Sequence, residues 1–228
     1  MRSLATRSRD EEQMDDPALP PETYAAVLAD LGRVNRWTLA ARPTLDFLRR
    51  GTAGMPSFRL LDVGFGEGGM LREIARWARG HGIEAELVGV DLNPGSAAVA
   101  RDATPPDLAI EWCTGHYRDL GSFDFVISSL VAHHMSDEEL SAFLRWMEAN
   151  AERGWLVNDL HRHLFSYWGY PLLARLLRLH RIVRDDGQLS IARSFRPREW
   201  ALILSGAGIE GARVRRRFPF RLCVERLR

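Results

Sequence analysis

Two short stretches gather side chains that can hold or move a proton. "LVAHHM" contains His133 and His134, and "NDLHRH" contains Asp159, His161 and His163. An imidazole with a pKa near ~6.5 can take a proton from a hydroxyl at neutral pH. A carboxylate beside it fixes the tautomer and orients the ring. His134 and His161 are the first candidates for proton abstraction or for orienting an acceptor. His133 stands beside them, with Asp159 as the orienting acid. A divalent metal is a competing use of such a cluster. The H-R-H spacing sends alternate side chains to opposite faces of an extended segment, so no metal is expected there. For any single imidazole, a packed or solvent-facing role stays open as well.

A third stretch, "LLDVGFGEGGM" at residues 60–70, has four glycines within six positions. Glycine at that density after a strand-like run brings the backbone close to something. Two patterns fit. Gly64-Phe-Gly66-Glu-Gly-Gly69 satisfies G-x-G-x-x-G, and Asp91 follows 22 residues on, where a dinucleotide fold places its ribose-binding acid. Asp62-Val-Gly64-Phe-Gly66-Glu-Gly68 satisfies D-x-G-x-G-x-G equally well. A dinucleotide has no use for a carboxylate two residues before the glycines, whereas a ligand with a free ammonium does. The chain also has no Lys at all, which excludes the Tyr-x-x-x-Lys mechanism of short-chain dehydrogenases.

The elements that must position these groups follow from periodicity. Tyr24, Val27, Leu28, Leu31 and Val34 recur at helical steps after Pro21, and Pro43 opens a second short helix. Strand-like and helical runs then alternate. "FRLLDVG", "AELVGVDL", "AIEWC", "FDFVISSL" and "GWLVNDL" read as strands. Helices are expected over 67–79, over 94–101 with Asn93 as cap, and after Ser136, whose capping box Glu139 completes. A Leu-rich stretch at 170–183 and a helix near 197–205 follow. Two strands, around 213–217 and 220–226, are separated only by Pro219 and its neighbours and suggest an antiparallel hairpin.

The expected fold is therefore α/β: a Rossmann-like, doubly wound, mostly parallel seven-stranded sheet with an antiparallel terminal hairpin and an N-terminal helical lid. Residues 1–20, polar and acidic, are expected to be a flexible segment. Residues 21–57 form a helical cap, and 58–228 the ligand-binding domain with a helical insertion at 163–190. Both histidine-bearing loops then lie beyond the C-terminal strand ends, where such sheets bind ligands.

Composition narrows the partners. The 228 residues suit one domain with a sizeable core. No run approaches the roughly 20 apolar residues of a membrane span, and the N-terminus lacks a signal-like apolar stretch. Cys113 and Cys223 stand far apart, as buried thiols in a reducing cytoplasm would. All 31 basic residues are Arg; residues 1–160 hold 16 against 25 acids, a balance of −9, and 161–228 hold 15 against 5, a balance of +10. The acidic first two-thirds would repel phosphates, and no aromatic platform interleaves the arginines, so nucleic acid is not an expected partner.

The sequence resembles the class I S-adenosylmethionine-dependent methyltransferases, in their standalone bacterial small-molecule form. D-x-G-x-G-x-G is that superfamily's first motif. "FDFVISSLVAHHMSDEEL" resembles its fourth strand and following loop, and the closing strands resemble its terminal hairpin. The likeness covers about 58–228, with the N-terminal helices as a variable substrate cap. It implies S-adenosylmethionine as cofactor and S-adenosylhomocysteine as product. Asp62 would meet the ammonium, and Gly64, Gly66 and Gly68 would lie against the amino-acid end, whose carboxylate faces a helix N-terminus. Asp91 would accept from both ribose hydroxyls and Leu92 would pack on the adenine. Where many relatives offer an aspartate to the adenine amino group, this chain has His116 in "TGHYRD", so His116 or backbone groups take that role. Ser128, with Ser129, would lie beneath the sulfonium, leaving room for it or simply packing.

The reaction implied is in-line methyl transfer assisted by histidine. The acceptor is expected to be small and aromatic or polyketide-like, in a pocket with Trp37, Tyr167 and Trp168. O-methylation is the first reading, and C-methylation of a quinone or phenolic ring the second. An NAD-dependent oxidoreductase and a non-catalytic binding subunit are the readings from other classes. No integral membrane association is expected, the location is cytoplasmic, and the chain is a monomer or homodimer.

Overall fold

The computed structural model describes residues 4–228. Strands with apolar residues on both faces need cover on both sides, and the chain supplies it by alternation. The strands are β1 (Ser57–Val63), β2 (Glu84–Asp91), β3 (Glu111–Thr114), β4 (Phe123–Ser129), β5 (Ala151–Leu160), β6 (Arg213–Arg217) and β7 (Arg221–Leu227). They form one sheet in the order β3-β2-β1-β4-β5-β7-β6. The first five are mutually parallel, and β7 runs antiparallel to both β5 and β6. The expected seven-stranded fold with its closing hairpin is thus the observed one.

Leu60, Phe125 and Ile127 face one layer, built from α2 (Arg42–Gly51), α3 (Gly69–Gly80) and α4 (Pro94–Asp102) through Phe47, Leu71, Ile74 and Ala97. Leu61, Val63 and Val126 face the other, built from α5 (Asp137–Asn150) and α8 (Pro197–Gly206) through Phe143, Leu144 and Trp200. The cap residues behave as their chemistry requires. Asn93 accepts from the Gly95 N–H, and Ser136 and Glu139 complete a reciprocal capping box. The helix expected from residue 67 begins instead at Gly69, because Gly68 still turns left-handed at φ +77°.

The lid joins two distant segments. Val27 and Val34 of α1 (Pro21–Trp37) pack against Ala174 of α6 (Leu164–Leu176) and Ile182 and Val183 of α7 (Arg181–Arg193). The single Leu-rich stretch anticipated at 170–183 is in fact two helices, broken where Arg178 takes φ +52°.

The segment before α1, expected to be flexible, is laid down as a strap. Leu4 and Glu12 are buried. Arg7 stacks on the Phe195 ring at 3.7 Å and donates to the carbonyls of Arg193, His133 and Met135. The backbone N–H groups of Gln13 and Met14 donate to the Asp186 carboxylate. Composition pointed to solvent here, but these polar groups find partners on α7 and on the loop after β4.

Candidate active site

A cavity of about 1370 Å³ opens at the C-terminal strand ends, under the roof made by α1, α6 and α7. It lies where the chain switches direction between β1 and β4, the usual ligand position in such sheets. One end is the glycine loop, of which Gly64, Gly66 and Gly69 line the cavity and Gly68 does not. Gly64, Gly66 and Gly68 have φ of +75°, +56° and +77°, a region closed to most other residues. Space requires glycine too: a Cβ on Gly68 would sit 2.4 Å from the Trp112 ring, and one on Gly64 2.4 Å from Val131.

Asp62, at the end of β1, is buried, and its Oδ1 has no hydrogen-bond partner among the described residues. Burial, and then the nearby Asp91 charge, push its carboxyl up to about 8. An unpartnered carboxyl of this kind costs free energy until a donor reaches it. Asp91 ends β2. Its Oδ2 accepts from the Gly66 N–H at 3.0 Å and its Oδ1 from the Asn93 N–H at 2.9 Å. Each oxygen keeps a lone pair for another donor. Burial raises its pKa, against the pull of those bonds. Leu92 lines the cavity and is exposed.

Two cofactor-site expectations fall elsewhere. His116 is not among the residues lining the cavity. Its Nδ1 accepts from the Arg118 N–H, capping a short turn, and its ring lies 4.3 Å from that of Tyr117. Gly115 and Tyr117 line the cavity instead. Ser128 is sealed in the sheet, donating to the Val63 carbonyl at 2.9 Å, while its neighbour Ser129 faces the cavity. Side chains alternate along a strand, so a shift of one residue exchanges the two.

The far end is polar. His133 is buried; its Nδ1 lies 2.7 Å from Asp159 Oδ1, and its N–H donates to Asp159 Oδ2 at 2.9 Å. Burial alone would raise the Asp159 carboxyl, but His133 and the N–H groups of Leu160 and His133 hold it below its ordinary value. His134 Nδ1 lies 2.9 Å from Asp15 Oδ2. Between the two rings sits Glu12, buried, accepting from Ser190 Oγ at 2.9 Å. Burial pushes its carboxyl up to about 7. Sequence reasoning missed Glu12 and Asp15. They belong to no motif, and the acid-rich "DEEQMDD" was the only signal.

His161 lines the cavity but is a poor base. Burial, with Arg216, His163, Arg196 and Arg162 around it, pushes its imidazole down to about 4. His163 is spent as the N-cap of α6. Trp37 lines the cavity as expected. Tyr167 and Trp168 do not: Tyr167 packs with Leu4 and Ile191, and Trp168 is half exposed. Phe165, Ser166, Gly169, Tyr170 and Leu173 line it from the same helix, on the face set by three- and four-residue steps.

Fold and site define a Rossmann-like α/β domain with a glycine-rich loop at its switch point. Residues 60–154 match the family model described as a methyltransferase domain. No curated protein matches the sequence. Among solved structures, magnesium protoporphyrin IX methyltransferase from Synechocystis PCC 6803 with bound S-adenosylhomocysteine shares 17% identity at TM-score 0.57, over 95% of this chain and 91% of that one. Human N-acetylserotonin methyltransferase with S-adenosylmethionine shares 16% at TM-score 0.65, over 92% of this chain and 56% of that one. The plantazolicin methyltransferase BpumL, with a monoazolic substrate analogue and S-adenosylhomocysteine, shares 13% at TM-score 0.61, over 86% and 79%. Identities this low speak for the fold alone. Residues 60–154 match a methyltransferase domain, on a fold shared with proteins solved with S-adenosylmethionine or S-adenosylhomocysteine.

Proposed function

We propose that this chain is a class I S-adenosylmethionine-dependent methyltransferase acting on a hydroxyl of a small, flat, aromatic or polyketide-like acceptor in the cytoplasm. The observation that carries the reading is Asp62. A buried carboxyl with an unpartnered oxygen, beside a bend that admits no side chain, fits the ammonium of an amino-acid nucleoside. Asp91 then takes the ribose hydroxyls, and the N-terminus of α3 faces the cofactor carboxylate. The cavity exceeds the roughly 300–1,000 Å³ of a single-ligand pocket, which leaves room for an acceptor beside the cofactor. Trp37, Phe165, Tyr170 and Leu173 give that room apolar and aromatic walls.

The transfer itself asks little of the protein. A lone pair of the acceptor oxygen attacks the methyl carbon, the carbon–sulfur bond breaks, and its electron pair stays on sulfur. The residues hold the two partners collinear and keep water out. The acceptor proton passes to the polar end of the cavity, where His134 is the better placed acceptor because His161 is so weak a base. His133, fixed by Asp159, positions the acceptor. Incubation with methyl-labelled S-adenosylmethionine and a panel of phenols and polyketides tests this. Label is expected on an acceptor oxygen. Label on ring carbon, or none in protein that binds the cofactor, would overturn it.

A further inference from the structure

We propose that Glu12, His133 and His134 form a binding site for a divalent transition-metal ion. One oxygen of Glu12 and one ring nitrogen from each histidine lie within 4.8 Å of one another. His133 Nε2 is 3.6 Å from Glu12 Oε1, and His134 Nε2 is 3.9 Å from Glu12 Oε2. Ligand atoms about 2.1 Å from a shared ion sit roughly 3–3.5 Å apart, so a set lying within 4.8 Å closes on one ion by side-chain shifts of up to about 1–2 Å.

Three further observations point to a cation rather than to chance proximity. First, both Nδ1 atoms are already engaged, by Asp159 and by Asp15. That fixes Nδ1 as the donor on each ring and leaves both Nε2 lone pairs facing Glu12, the carboxylate–histidine–metal arrangement. Second, Glu12 is buried, and its Oε1 has no hydrogen-bond partner among the described residues. Third, no guanidinium fills that place: Arg193 Nε stays 3.8 Å from Glu12 Oε1, Arg7 is paired with Asp137, and Arg221 acts on Asp159.

Two nitrogens and one oxygen favour zinc, iron(II), cobalt or manganese over magnesium or calcium. All three ligands line the cavity, so the remaining coordination positions face it. The ion would tie the strap to the loop after β4. With the ion bound, His134 Nε2 would be a ligand and no longer free to take the acceptor proton; the ion would instead polarise the acceptor oxygen and ease loss of its proton to water, a role that rests on the methyl-transfer reading, whereas the site itself does not. The histidines that argued against a metal, in H-R-H, take no part.

Untagged protein, stripped with a chelator, is titrated with cobalt(II) alone and read by visible absorption. One equivalent is expected to give ligand-field bands, abolished by competing zinc(II). Glu12→Gln and His134→Ala are expected to weaken binding at least tenfold, and Asp159→Asn by about 10–100-fold. His163→Ala is expected to change nothing. Calorimetry of S-adenosylmethionine binding on each variant shows that it is folded. Absence of bands at one equivalent, or equal binding by folded Glu12→Gln and His134→Ala, would overturn the site. A bound ion without methylation of any acceptor would instead count against the acceptor reading.

Discussion

At the scale of the residue, the proposed pairing of Asp62 with the cofactor ammonium ties binding to pH. The Asp62 carboxyl titrates near 8, against an ordinary value of 3.8, because burial penalises the charge. In the free protein it is therefore protonated at pH 7, while an incoming ammonium favours the carboxylate. Binding at pH 7 should release close to one proton. Affinity should rise by up to tenfold per pH unit toward 8 and then flatten. Calorimetry in buffers of different ionisation enthalpy reads both. The same shift sets the free protein's stability. A group whose folded value is raised contributes stability fully below its unfolded value, about 4, and loses it as pH climbs to about 8. Asp62→Asn has no such loss. It should melt above the unliganded wild type at pH 8 by an amount on the order of 1–3 kcal/mol, with the gap closing by pH 5, and should bind S-adenosylmethionine at least tenfold more weakly. Parallel melting profiles would show that the carboxyl is not strained. Of the residues themselves, the cavity positions of Asp62, Asp91, Gly64 and Gly66 were legible in advance, because type alone limits their use. The sequence misplaced Ser128, where strand phase decides, and His116, whose ring turned back to cap its own turn.

At the scale of the element, legibility followed the range of the forces. Helix caps and strand alternation act within a few residues, so Asn93, Ser136 and Glu139 marked their helices in advance. The strap was illegible because its partners are remote: Glu12 meets Ser190 across 178 residues of chain, and Arg7 meets Arg193 across 186. The polar end of the cavity is completed by this segment, whereas the glycine loop is not. Deleting residues 1–16 should therefore separate the two. Cofactor affinity is expected within about threefold of wild type, while acceptor methylation falls at least a hundredfold through loss of Glu12 and Asp15. Equal loss of both would mean that the strap holds the whole lid in place, and full methylation would mean that it serves neither. Within the glycine loop, Gly68→Ala combines a left-handed backbone with a clash against Trp112. A loss of roughly 1–3 kcal/mol is expected in cofactor affinity, with the acceptor end untouched.

At the scale of the whole molecule, the sheet joins sites that the sequence keeps apart. β1 carries Asp62, β2 carries Asp91, and β4 leads into the histidine pair, yet their order in the sheet is set by which strands pair. The parallel order was legible because each strand is followed by a covering helix, and the right-handed crossovers that result leave few arrangements. The cavity wall proposed for the acceptor was not, because it comes from α1 and α6, whose placement depends on contacts within the lid. This division predicts how ligands act on global stability. A ligand that binds only the folded chain stabilises it by RT ln(1 + [L]/Kd), about 2.7 kcal/mol at a hundredfold excess over Kd. A domain of this length gains about 2–4 °C per kcal/mol. S-adenosylmethionine and S-adenosylhomocysteine should each raise the melting temperature by roughly 5–10 °C at that excess. NAD(H), which has no ammonium for Asp62, should leave it unchanged. Because the proposed cofactor site lies on the sheet and the strap is gripped by α7, the shift should be nearly the same in the strap-deleted chain, even though its starting temperature is lower. A shift that vanishes with the strap would mean that cofactor and lid fold as one unit, and the separation argued from the sheet would fail.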